Sequence, residues 1–239
     1  MQQLGIIAVT GLAISAVCLG AAAAVGGRDF GGVDLSMFGD RPRCERVADA
    51  AATSRILDWD GSDHLSLSVP ARAHYAPGGD GRLHASGDAQ TLAHLRVRDG
   101  RIELDCNPGW GDRETIDLEL PGVPIHRFAI AGSGKLMLDH LDQDDMKIGI
   151  AGSGSITANG KVHHTSVNIA GSGNADLRDV TTEIATVHIA GSGDTDIAPS
   201  EEADIHIAGS GNVNLHGNPR RLDTHIAGSG RIRNAGGGI

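Results

Sequence analysis

The chain has 239 residues, of which 35 are glycine, and its formal net charge is −10 at pH 7. This negative balance argues against a nucleic-acid partner, because affinity for a phosphate backbone depends on Lys and Arg. Aromatic residues make up only 3% of the chain, so few rings are available to stack on bases, and the core is expected to be narrow and built from Ile, Val, Leu and Ala.

The N-terminal segment is apolar. Residues 1–27 carry no charged side chain, and residues 4–27 are long enough to cross a bilayer as a helix. Two interpretations remain open. A cleaved secretory signal would end near Ala22, Ala23 and Ala24, although it would lack a basic first region. An uncleaved membrane anchor fits the length. Both predict export to the periplasm or cell envelope, and the second predicts membrane contact through residues 4–27.

The next segment, residues 28–54, has no clear hydrophobic period and is predicted to be a linker. It contains Cys44, and Cys106 is the other cysteine that follows the apolar segment. In an exported protein these two could form a disulfide that fastens the linker to the first part of the fold. The alternative is two unrelated thiols.

Residues 62–106 have the pattern of strands separated by turns. The stretch "VRDGRIEL" predicts a β-hairpin with Asp99 and Gly100 at its tip. We expect this segment to form the first, less regular coils of the fold and to cap one end, since the end of a repeat domain must be covered to stay soluble.

The remainder of the chain repeats the pentapeptide Ile-Ala-Gly-Ser-Gly every 18 to 20 residues. The six copies are Ile130–Gly134, Ile150–Gly154, Ile169–Gly173, Ile189–Gly193, Ile207–Gly211 and Ile226–Gly230. Apolar residues alternate before and after each copy, which indicates strands with one buried face. A unit this short cannot bury its own apolar side, so neighbouring units must stack. The pattern predicts an all-β fold, a parallel β-solenoid with one coil per unit.

The Gly-Ser-Gly corner is predicted to be structural. A phosphate-binding loop would need glycine at Ala129, and a nucleophile elbow would need the order Gly-x-Ser-x-Gly. Glycine instead supplies the unusual backbone angles and close backbone approach that each coil needs at its corner. The predicted corner residues are Gly132, Gly134, Gly152, Gly154, Gly171, Gly173, Gly191, Gly193, Gly209, Gly211, Gly228 and Gly230.

These segments together resemble the head GIN domain family, the putative autotransporter adhesins. The matching residues are "LSLSVPARAHYAPGGDGRLHASGDAQTLAHLRVRDGRIEL" (65–104), followed by "IAGSGxxxL" units such as 169–177 and 207–215. The resemblance covers residues 55–233. It implies a right-handed parallel β-helix exported to the cell envelope, with no catalytic residues and no cofactor. We therefore expect one such domain over residues 55–239.

Stacking turns equivalent positions of the coils into columns. One column on the outward side of the strands before the corners contains His188, His206 and His225, and the column two positions earlier contains Asp204 and Asp223. At the inter-strand spacing of about 4.8 Å, the last two coils would present Asp, His, Asp and His as a two-by-two patch. The patch predicts either a divalent-metal site or a solvated face where stacked histidines offset repulsion between aspartates.

The composition and columns favour a non-enzymatic envelope protein. Its flat faces would bind an envelope protein or a glycan, or act as a spacer. One alternative is a β-helical polysaccharide-active enzyme, but such short coils build no groove, and Trp59 and Trp110 lie outside the repeats. The other is a metal-binding envelope protein that uses the Asp204, His206, Asp223 and His225 patch.

Overall fold

The computed structural model describes residues 42–48, 50–107, 115–122 and 124–235. The predicted N-terminal apolar helix, most of the predicted linker and Trp110 lie outside these residues. Within the described part of the chain, no helix has both the length and the apolar character needed to span a bilayer.

The described residues form fifteen strands in one sheet and one short helix. Their bounds are β1 Ser54–Asp58, β2 His64–Leu67, β3 Ala71–Ala76, β4 Arg82–Ser86, α1 Ala89–His94, β5 Leu95–Arg98, β6 Arg101–Leu104, β7 Ile116–Pro121, β8 Arg127–Gly132, β9 Lys135–Gly152, β10 Ser155–Gly171, β11 Asn174–Gly191, β12 Asp194–Gly209, β13 Asn212–Leu215, β14 Arg221–Gly228 and β15 Arg231–Asn234. The predicted all-β solenoid is confirmed.

The repeats stack in register. Strands β9 to β12 each run 16 to 18 residues from one corner to the next, and each pairs in parallel with its neighbour. The first glycine of every corner is aligned across the sheet, from Gly132 on β8 to Gly228 on β14. The polar returns between coils are also paired, with register shifts such as that between Leu177 and Thr181.

The core lies inside the coils and consists mainly of aliphatic side chains. The alternation predicted from the sequence sets the burial, so that Val187 and Ile189 are buried while His188 between them is half-buried. Two aromatic rings, Tyr75 and Phe128, pack edge to face near the N-terminal end, with centroids 5.2 Å apart.

The first coils are wound in an order that differs from the order of the chain. Strands β2 and β3 pair in parallel with β8 and β9 and form the coil next to the repeats. Strands β6 and β7, which follow later in sequence, pair with the other edges of β2 and β3. The chain therefore moves outward to the end coil before it returns to begin the repeats.

Antiparallel strands cap this end coil. Strand β4 pairs with β7, β1 pairs with β4, and β5 pairs with β6. The predicted hairpin is confirmed: Arg98 pairs with Arg101, and Asp99 and Gly100 between them have φ values of 47° and 67°. Positive φ at both turn residues suits a two-residue hairpin because it matches the twist of the strands.

The last coil, which contains β14, repeats the alternation of apolar residues, but its apolar side chains are less buried than those of the preceding coil. Leu222 and Ile226 of β14 align with the buried Ala203 and Ile207 of β12, yet they are 48% and 44% exposed. Among the described residues no further coil covers them.

Residues 42–48 pack against the capped end. The backbone N–H of Cys44 donates to the carbonyl of Asn107, and the N–H of Asn107 donates to the carbonyl of Pro42. The sulfur atoms of Cys44 and Cys106 are joined in a disulfide. The end of the predicted linker is thus part of the cap.

Helix α1 is capped at its N-terminus by the side chain of Asp88. Asp88 Oδ2 accepts hydrogen bonds from the backbone N–H of Thr91 at 2.7 Å and from its hydroxyl at 2.9 Å. The backbone bond is the main reason that the pKa of Asp88 lies below its usual 3.8. Since the folded pKa is the lower one, this stabilisation is complete above pH 3.8 and is lost as the pH falls through the folded-state pKa.

We expect Asp88→Ala to lower the free energy of unfolding at pH 7 by about 1 kcal/mol. Asp88→Asn keeps an acceptor that does not titrate. Its free energy of unfolding should be lower than that of the wild type at pH 7, and this difference should shrink below pH 3.8. Urea unfolding of the three proteins at neutral and acidic pH measures both effects. A constant difference between wild type and Asp88→Asn at every pH would contradict the pKa assignment.

Candidate functional site

The two glycines of each corner have different structural roles. The first has a φ of 115° to 135° in all six copies, a region that side chains rarely adopt. The second lies outside that region but has no space for a Cβ: at Gly193 it would lie 2.3 Å from the carbonyl oxygen of Gly173 and 2.7 Å from Ile169 Cγ2. The second position therefore needs close approach alone, whereas the first needs the positive φ and, in every corner except that of Gly132, close approach as well.

The corner amides are used by the solenoid itself. The N–H of Ser192 donates to the carbonyl of Gly171 on the preceding coil at 2.8 Å, and the N–H of Ser210 donates in the same way to Gly191. The serine side chains of all six corners are exposed and form a row along one edge. Because the serine N–H groups of the last five corners are already paired, those corners are not built to cradle an anion.

The strands before the corners form a surface that we call the outer face. It is defined by two aligned columns of outward positions on β8 to β12 and β14. One contains Ala129, Gly149, Asn168, His188, His206 and His225, and the other contains Arg127, Lys147, Ser166, Thr186, Asp204 and Asp223. In the column that contains the three histidines, the first two residues, Ala129 and Gly149, are buried and so do not contribute to the surface.

The three histidines form a stack. The ring centroids of His188 and His206 lie 5.0 Å apart with 13° between the planes, and those of His206 and His225 lie 4.8 Å apart with 6°. Burial lowers the pKa of His188, and repulsion from His206 adds to this, while Asp204 opposes it. These effects together favour the neutral form of His188.

The structure brings three of the four predicted metal ligands together. One ligand atom each from Asp204, His206 and His225 lies within 4.8 Å of the other two. Asp223 is outside this group, and its Oδ1 lies 3.6 Å from Nδ1 of His225 on its own strand. Sequence reasoning placed all four residues in one patch and did not separate Asp223 from the other three.

A second group of metal-binding residue types lies at the capped end. Cys44, His94 and Cys106 come within 4.8 Å of one another. The two sulfurs are bonded to each other, so they are not thiolates that could bind a metal.

The sequence analysis missed a polar ladder on the strands after the corners. Asn174 Oδ1 accepts from the backbone N–H of Asp194 at 3.2 Å, and Asp194 Oδ1 accepts from the side-chain amide of Asn212 at 2.8 Å. The signal was present, since an Asn or Asp follows the corner in these three units. These side chains bond mainly to one another, which is typical of a structural ladder.

One shallow cavity of about 290 Å³ lies beside the core. It is lined by Tyr75, Pro77, Gly122, Pro124, His126, Leu141, Asp142 and Gln143. Among the described residues, the lining offers a single carboxylate, whereas hydrolysis of a glycosidic bond generally needs two. The cavity therefore does not resemble a glycosidase site.

Comparison with known proteins identifies the family. No curated protein matches the chain. Among solved structures, a putative adhesin from Bacteroides fragilis is 16% identical with a TM-score of 0.62, over 76% of this chain and 95% of that one. A putative adhesin from Parabacteroides distasonis is 14% identical with a TM-score of 0.52, over 81% and 99%. At these identities the likeness shows the fold alone.

The sequence profile of the family described as "Putative auto-transporter adhesin, head GIN domain" matches residues 82–219. The match covers more than half of the chain and includes five of the six corners. The solenoid, the corners and this match agree with the resemblance noted in the sequence, and the chain belongs to the head GIN domain family.

Proposed function

We propose that this protein is a non-enzymatic component of the cell envelope that binds an envelope protein or a glycan on its outer face. The observation that carries the proposal is the register of the coils. Six aligned positions, from Arg127 on β8 to Asp223 on β14, extend at about 4.8 Å spacing over roughly 24 Å and form a flat surface backed by paired strands. A surface held in this way is preorganised, so binding orders little of the protein.

Export is supported by features at the N-terminal side. Residues 1–27 lack charged side chains, and Cys44 and Cys106 form a disulfide. Disulfides persist mainly in oxidising compartments outside the cytosol. The family description as auto-transporter adhesins agrees with this location.

The non-enzymatic role is supported by what the described residues offer for chemistry. The Gly-Ser-Gly corners use their amides within the solenoid. The shallow cavity near Tyr75 has one carboxylate, and the family description names adhesion. Broad binding along a rigid face fits these residues better than catalysis at a cleft.

Cell fractionation combined with N-terminal sequencing tests the location. We expect the full-length chain to be found in the periplasmic or envelope fraction, with its N-terminus either at Met1 or just after Ala24. A variant without residues 1–27 serves as the control and should remain in the cytosol. Recovery of the intact wild-type chain in the cytosol, with the thiols of Cys44 and Cys106 free, would contradict the proposal.

Sedimentation with isolated cell envelopes tests the binding face. Two threonines on β11 provide a matched pair, since Thr186 lies on the outer face and Thr181 lies on the exposed return segment. Thr186→Arg should weaken binding at least about tenfold, which is the size of one strong interface contact. Thr181→Arg should bind as the wild type does. Equal loss in both variants, or no sedimentation of the wild type, would rule out this face.

A further inference from the structure

Ligand atoms of three side chains come together on the last coils of the outer face. The imidazoles of His206 and His225 and the carboxylate of Asp204 lie with one ligand atom each within 4.8 Å of the others. We propose that these three residues bind a divalent transition-metal ion such as Zn²⁺ or Ni²⁺. The site is additional to the envelope-binding role and does not depend on it.

The residue types select the class of metal. Imidazole suits Zn²⁺, Ni²⁺ and Cu²⁺, whereas Ca²⁺ and Mg²⁺ prefer oxygen ligands. Two imidazoles and one carboxylate therefore favour a transition metal. Three protein ligands also leave a coordination position open for water or for a group of a bound partner.

The strands hold two of the ligands in place. Asp204 and His206 are two residues apart on β12 and so point to the same side. The ring of His206 packs between those of His188 and His225, which fixes its position. His225 is the adjustable ligand, because its side chain is 64% exposed and lies on the outermost strand.

Convergence of the three ligands on one ion requires a movement of the His225 side chain. In a tetrahedral zinc site with bonds of about 2.1 Å, two ligand atoms lie about 3.4 Å apart. The ligand atoms already lie within 4.8 Å of one another. The His206 and His225 rings are nearly parallel, so the exposed His225 ring would turn out of the stack to point a nitrogen at the same ion as His206.

One oxygen of the Asp204 carboxylate lacks a hydrogen bond, which gives further support. Asp204 Oδ1 is buried and has no hydrogen-bond partner. His206 Nε2 lies 3.0 Å from it, which is ion-pair distance, but the two atoms do not have hydrogen-bond geometry. Nδ1 of the adjacent His188 is also buried and unpaired. Buried polar atoms rarely lack a hydrogen bond, and a metal ion bound to Asp204 would give Oδ1 a partner in addition to His206.

Asp223 takes a supporting role in this arrangement. Its Oδ1 lies 3.6 Å from Nδ1 of His225. Histidines that bind metals usually donate their second N–H to a carboxylate, which orients the ring. At this distance the two groups can form an ion pair but not a hydrogen bond, so Asp223 would orient His225 only after a small approach of the two side chains.

Isothermal titration calorimetry with ZnCl₂ tests the site. The full-length chain, without a histidine tag and kept in mild detergent, should bind one ion per chain. His206→Ala/His225→Ala should abolish the heat, and Asp204→Asn should weaken binding at least tenfold. If the alanine variant fails to fold by circular dichroism, His206→Gln/His225→Gln removes the imidazoles with less change in volume.

A matched control uses the exposed pair His163 and His164 on β10, whose side chains are 57% and 55% exposed. His163→Ala/His164→Ala should bind Zn²⁺ as the wild type does, and CaCl₂ should give no heat. The proposal is wrong if the wild type gives no heat with ZnCl₂, if the His206/His225 variants keep the full signal, if the control pair loses it, or if Ca²⁺ binds equally well. Fractionation and envelope sedimentation involve no added metal, so their failure is distinguishable from this one.

Discussion

Gly191→Ala is expected to destabilise the solenoid by about 4 kcal/mol, the sum of two penalties. The first is backbone strain, since Gly191 has a φ of 135°. The second is steric, since a Cβ at this position would lie 2.2 Å from the carbonyl oxygen of Gly171 on the preceding coil. Neither atom can move away without breaking the parallel pairing between β10 and β11. Urea unfolding measured by circular dichroism gives the change in the free energy of unfolding.

Two other corner glycines separate these penalties. Gly132 has a φ of 115°, but a Cβ added there would have no atom within 4 Å, so Gly132→Ala should cost only the strain, about 1 to 3 kcal/mol. Gly193 lies outside the positive-φ region but is blocked by Gly173, so Gly193→Ala should cost only the overpacking, again about 1 to 3 kcal/mol. Equal and small losses in all three variants would show that the corners tolerate side chains.

Removal of the Cys44–Cys106 disulfide is expected to have an effect of similar size. The bond links residues 62 apart in sequence, and closure of such a loop in the unfolded chain corresponds to about 4 kcal/mol. The loss should fall on the capped end, because Cys44 pairs with Asn107 beside β6. Urea unfolding of the wild type with and without a thiol reductant measures this loss.

Two cysteine variants control this experiment. Cys44→Ser/Cys106→Ser should unfold as the reduced wild type does and should not respond to the reductant. Cys18→Ser, which removes the remaining cysteine, should keep the full response. If the wild type unfolds at the same urea concentration under both conditions, the bond contributes nothing to stability.

Much of the solenoid could be predicted because its determinants are local. The alternation of apolar and polar residues, as in Val187, His188 and Ile189, determines which side chains face inward. The spacing of the corners determines the length of each coil. Register follows, because a shift of one residue would place the buried set outside. The outer columns, including the stacked His188, His206 and His225, could be derived from that register alone.

The capped end could not be predicted in the same way. Strands β4 and β7 pair across about thirty residues of sequence, and β6 pairs with β2 rather than with the strand that follows it. These strands are short, and their alternation of apolar and polar residues does not determine which edge of the sheet each strand pairs with. Their order depends on which sheet edges remain open once the coils have formed.

The sequence by itself determined that this chain winds into a β-solenoid, which residues line its core, where the glycine corners lie and which columns share the outer face. Each of these depends on a short period that repeats along the chain. Only the tertiary structure decided the order of the first coils, the packing of residues 42–48 on the cap, and the grouping of Asp204 and His206 with His225 apart from Asp223. These depend on contacts between residues distant in sequence and on side-chain rotation, and neither is encoded in a local pattern.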